Sequence, residues 1–104
     1  MACGLCYLKG GRETEISRVI CNMASGITGM ICDGAKPSCA LKLSSGVATA
    51  VVSAMVAMDG QSVGALEGII DDDVDQTIRN LVKIGREGMT QTDRMILGIM
   101  TSKK

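Results

Sequence analysis

The chain has 104 residues, enough for one small domain or a piece of a larger one. Eleven basic and eleven acidic residues cancel, so there is no electrostatic footprint for nucleic acid or a charged membrane surface. Histidine is absent, which excludes Ser–His and Cys–His nucleophile pairs, His-ligated zinc and imidazole acid–base chemistry. Tyr7 is the one aromatic residue, so any core must be built from Ile, Val, Leu, Ala and eight Met.

The N-terminus opens on Cys3-x-x-Cys6, with no basic start and long apolar run of the signal-peptide kind. The five thiols (Cys3, Cys6, Cys21, Cys32 and Cys39) are therefore expected to be reduced and the protein cytoplasmic; an odd count also argues against a disulfide framework. Thr14 is the expected cap of a first helix in which Ile16, Val19, Ile20 and Met23 share one face, with Cys21 packed beside them. Ser25 and Gly26 should end it. The stretch 26–38 carries Gly26, Gly29, Gly34 and the sole proline, Pro37, and reads as a loop. Pro37 suits the first turn of a helix from Ser38 to about Met58. Its uncharged stretch, 43–58, is short and Ser/Thr-bearing for a bilayer span, which needs about 20 apolar residues. A buried helix is expected, with no membrane partner.

Asp59 and Gly60 lead into a Gly-bearing loop up to Ile70. Asp71, Asp72 and Asp73 place negative charge where a helix dipole favours it, so a solvated helix start is expected there rather than a metal site. Val74, Ile78, Leu81 and Val82 should form that helix's buried stripe, and Gly85 and Gly88 its stop. Thr90 with Asp93 resembles a capping box opening a last helix with Met95, Ile96, Ile99 and Met100 inside. No run alternates as a strand would. The expected fold is all-α, about four helices with a Gly-rich cysteine loop, in a single unit over 1–104.

Chemistry concentrates in Gly29-Met-Ile-Cys32-Asp-Gly-Ala-Lys-Pro-Ser-Cys39. Glycines let backbone N–H groups approach a ligand, and thiolates near cations or helix N-termini become good soft-metal ligands. Cys39 lies in a helix first turn that would also favour a substrate carboxylate. Asp33 and Lys36 are the neighbouring candidate substrate contacts. The alternative is that Cys32 and Cys39 are small packing residues, as free Cys usually is. A P-loop is rejected, because Ala35 puts Lys36 out of register and Pro37 replaces the Mg²⁺-binding hydroxyl. Cys3 and Cys6 together with Cys32 and Cys39 could make a four-thiolate zinc site, although the second pair is spaced too widely for a knuckle.

The segment GITGMICDGAKPSCALK (26–42), preceded by Asn22 and Met23, resembles the C-terminal part of the L-cysteine desulfidase family. These are proteins like the α-subunit of iron–sulfur serine dehydratase. GIIDDDVDQTIRNL (68–81), IGREGM (84–89) and residues 93–100 fit the same family, so the resemblance runs from roughly residue 7 to the end. It implies a [4Fe–4S] cluster held by three cysteines with one iron open, and makes Cys32 and Cys39 the second and third ligands. The open iron would act as a Lewis acid on the amino acid. After α-proton removal and loss of the β-group, aminoacrylate decays to pyruvate and ammonia.

The family's first ligand cysteine and the region of its base have no counterpart here. Cys3 and Cys6 do not match that ligand, and whether one of them substitutes is open. The chain is therefore expected to be a truncated C-terminal part, inactive alone, of a lyase for a small amino acid. Cysteine is favoured as substrate, with serine deamination as the alternative. Two other readings stand beside it: a non-catalytic helical module that needs a partner chain or self-associates, and the structural zinc domain.

Overall fold

The computed structural model describes residues 1–32 and 37–103. Among them are five α-helices and no strand: α1 (Ala2–Leu8), α2 (Glu13–Ile27), α3 (Pro37–Met58), α4 (Val74–Lys83) and α5 (Thr90–Ser102). The all-α class is as expected, with α1 in addition to the four helices read from sequence.

α1 is too short to persist by itself, and packing against α2 and α3 sustains it through buried Ala2 and Cys6. It ends in a Schellman motif. Gly10, at φ 95°, donates its N–H to the Tyr7 carbonyl at 3.0 Å, and Gly11 donates to the Cys6 carbonyl at 2.9 Å. Gly11 is itself buried, and a Cβ there would land on Cys6 Sγ and within 2.9 Å of the Cys6 carbonyl.

α2 begins one residue before Thr14, so the expected Thr14 cap is not formed. Arg12 holds the cap position, and the Glu15 carboxylate reaches back to accept its N–H at 2.9 Å. That bond, with Arg18 and Arg12 close by, holds the Glu15 carboxyl below the usual carboxylate range. Ser25 and Gly26 do not stop the helix, which runs to Ile27, where the Thr28 hydroxyl donates to the Ala24 carbonyl.

α3 starts at Pro37, as its fixed φ and missing N–H suggest. It stops by the same device as α1: Gly60, at φ 80°, donates to Ala57 at 3.1 Å and Gln61 donates to Val56 at 3.0 Å. The expectation of a buried helix holds for one face. Ala50, Ala54 and Ala57 join Ala2, Cys6 and Val19 in the main core, while Leu43, Val52 and Met55 face solvent. By length and composition alone, α3 could cross a membrane.

A second cluster of Cys21, Ala24 and Ile70 lies where the 61–70 loop meets α2, and Cys21 packs there as expected. Asp73 caps α4, its carboxylate accepting the Asp75 N–H at 3.0 Å, and Asp71 braces the turn by accepting the Asp73 N–H at 2.9 Å. The expected buried stripe of α4 is largely open instead, with Ile78, Leu81 and Val82 exposed and Thr77 the helix's buried residue. Gly85 and Gly88 do not break the chain. A π-helical turn, Ile84–Gly88, closes with the Met89 N–H on the Ile84 carbonyl at 3.1 Å. Nor is there a capping box at α5, since Met89 is its cap residue and the Thr90 hydroxyl donates to Arg86. Met95, Ile99 and Met100 are exposed rather than inside, because among the described elements α5 touches only the π-helical turn before it. The described chain is consequently elongated, 51 × 27 × 16 Å. Its radius of gyration of 15.6 Å exceeds the roughly 13 Å of a compact domain of this length.

Candidate functional site

The two candidate ligand thiols flank the α2–α3 connection. Cys32 lies five residues beyond the end of α2 and is exposed, and Cys39 sits half-buried in the first turn of α3. Asp33 and Lys36, the candidate substrate contacts, lie outside the described residues. The chain approaching Cys32 helps to line a largely apolar cavity of about 510 Å³. Gly29 and Met30 share its wall with Cys3, Ile20, Met23, Ile78 and Leu81 among others.

Asn22, which carries part of the family resemblance but no role in the sequence reading, fixes the frame of this connection. Asn22 is buried, its Nδ2 donates to the Ser53 carbonyl at 3.4 Å, and its Oδ1 accepts the Val63 N–H at 3.0 Å. It thereby ties the helix leading to Cys32 to the helix that carries Cys39 in its first turn, and pins the loop after α3 to both. The available signal was an amide one turn after Val19, on the face that α2 buries.

Cys6 and Cys21 do not converge on the loop. Cys6 is fully buried against Met58, with its Sγ 3.8 Å from the thioether sulfur. Burial pushes its thiol up, and the Glu15 carboxylate and Cys3 add to the shift. Met58 and Cys39 stand at opposite ends of α3, roughly 28 Å apart at 1.5 Å rise per residue. The four-thiolate zinc site is thus overturned by the fold, and Cys6 is excluded as a stand-in third ligand. Cys21 is closed into the second cluster. Among the described residues, no three of Cys, Asp and Glu gather closely enough to hold a metal ion. Cys32 and Cys39 are a donor pair of the right chemistry for an iron–sulfur cluster, but among the described residues no third thiol joins them.

The site so far is a helical segment with two thiols at a helix–helix connection, one of them in the first turn of a small-residue helix. The sequence pattern of the family described as "Serine dehydratase alpha chain" matches residues 1–98, and the chain belongs to that family. The match starts at residue 1 rather than at roughly residue 7. A UPF0597 protein of Porphyromonas gingivalis is 59% identical over 103 residues, covering 99% of this chain and 24% of that protein. UPF0597 proteins of Phocaeicola vulgatus and Bacteroides thetaiotaomicron are 58% and 56% identical, again with 24% of the relative covered. The chain thus spans about a quarter of the length of the curated relatives it matches. No solved structure gives a significant match.

Proposed function

We infer that the chain forms part of an iron–sulfur β-elimination lyase resembling L-cysteine desulfidase, which converts L-cysteine to pyruvate, ammonia and sulfide. Cys32 and Cys39 supply two of the cluster thiolates, and a third comes from polypeptide outside this segment. The observation carrying this reading is the CDGAKPSC motif at the α2–α3 connection of a serine dehydratase alpha chain family member. An exposed and a half-buried thiol suit ligation better than core packing does, in contrast to buried Cys6 and Cys21. Asp33 and Lys36 are the proposed contacts for the amino-acid substrate, and L-serine is the alternative substrate. Reduced thiols fit a cytoplasmic location. By itself the chain is expected to be inactive.

Anaerobic iron and sulfide reconstitution tests the reading on wild type and on the Cys32→Ser, Cys39→Ser double variant. Iron and sulfide bound in stoichiometric amount, with visible charge-transfer absorbance lost in the double variant, support it. Absence of iron from both proteins, including after addition of the part of a relative outside the matched segment, overturns it. A second reading, a non-catalytic helical module that needs a partner chain, is favoured by the exposed apolar residues on α3, α4 and α5.

A further inference from the structure

We propose that the solvent-facing side of α3 is a docking surface for the polypeptide that makes up the rest of a full-length UPF0597 relative. The inference rests on the reading that this chain is one part of a larger functional unit, and it names the face through which that unit is assembled. α3 carries no charged residue from position 43 to its end at Met58, although one long side of it is open to water. Val52 is 59% exposed and Met55 54%, with Val51 and Val56 completing the same side. Together they make an apolar patch on the order of several hundred Å², of the size that marks an interaction site rather than an ordinary solvated helix face.

Two of the hydroxyls on this helix are already committed. The Ser45 hydroxyl donates to the Leu41 carbonyl at 3.2 Å and the Thr49 hydroxyl to the Ser45 carbonyl at 2.9 Å. Covering the face therefore strands neither of these donors.

Three occupants compete for such a surface. A bilayer enclosing α3 would also have to enclose α2, which packs along it and carries Glu13, Glu15 and Arg18. Removing those charges from water is strongly unfavourable. A second copy of this chain would cover the patch as well. The relatives decide in favour of the third, because in them the matched segment is 24% of one continuous chain. The remainder is thereby held at high effective concentration beside α3.

The test co-expresses the chain with the Porphyromonas gingivalis relative lacking its matched segment. A photo-cross-linking residue is placed at Val52, and as a control at Arg94 on exposed α5. Cross-linking from position 52 to the added polypeptide, and at least a tenfold loss of co-purification in a Val52→Glu variant of unchanged helicity, support the proposal. Cross-links between two copies of the chain, flotation of the chain with phosphatidylcholine vesicles, or a complex that ignores Val52→Glu would each overturn it, as would no complex. A Val52-dependent complex without iron would leave this surface standing and remove the lyase reading. Equal iron binding by wild type and Val52→Glu would do the reverse.

Discussion

The two halves of the chain reach order by different means. In residues 1–58, three helices close on one another through alanine, cysteine and valine, with Ala50, Ala54 and Ala57 of α3 meeting Ala2, Cys6 and Val19. Small side chains let the backbones approach, so a core forms without the aromatic bulk that the composition lacks. In residues 61–102 far less apolar surface is covered, and named polar bonds hold the chain in place. Asn22 accepts from Val63, the Thr77 hydroxyl bridges both backbone groups of Asp71, and Asn80 donates to the Ile69 carbonyl at 2.9 Å. The first half is fixed by shape and the second by a few directional contacts, so the two should fail differently under mutation.

The largest effect is expected from overpacking the first half. Ala54→Leu forces three extra heavy atoms into a site that is 1% exposed, and should destabilise the protein by about 3 kcal/mol in denaturant unfolding. Next comes the tie between the halves. Asn22→Leu strands the Val63 N–H, removes the extra bond to the Ser53 carbonyl and should lower stability by about 2 kcal/mol. Hydrogen exchange should show loss of protection spreading through the 61–70 loop before it reaches α1. Within the second half, Asp73→Ala removes the α4 cap for about 1 kcal/mol, with fraying confined to α4 in the same exchange measurement.

The smallest effect is pH-dependent and belongs to the first half. Glu15 has its folded-state pKa below the ordinary value, so its contribution is present above the unfolded-state pKa and fades as pH falls through the folded one. Glu15→Gln should therefore lower the unfolding midpoint at neutral pH, and the gap should close in strong acid, where both states are protonated. A gap independent of pH would assign the contribution to the neutral hydrogen bond alone.

Periodicity located α2, α3 and α4 to within a residue or two, and the chemistry of Pro37 and Asp73 marked two helix starts correctly. It misjudged coverage. The spacing of Ile78, Leu81 and Val82 reports which side of α4 is apolar, and says nothing of whether another element lies against it. α1 was illegible because seven residues hold too little pattern, and its stability is entirely tertiary. The glycines at 85 and 88 read as breakers, yet a π-helical turn accommodates them without reversing the chain. For the candidate site, the Cys32–Cys39 motif was visible as residues in order. The fates of Cys3 and Cys6 depended on where α1 packs, and the role of Asn22 depended on contacts 31 and 41 residues away.

The uneven burial of the five thiols makes the chain its own reporter. Cys32 is open to a thiol-directed reagent in the native state, whereas Cys6 is sealed in the first core and Cys21 at the junction with the second half. Alkylation of Cys6 requires α1 to lift from α3, and alkylation of Cys21 requires the 61–70 loop to leave α2. Mass-resolved labelling kinetics of unmodified protein can thus time the opening of each half separately, with no probe introduced and Cys32 as the internal standard for reagent access.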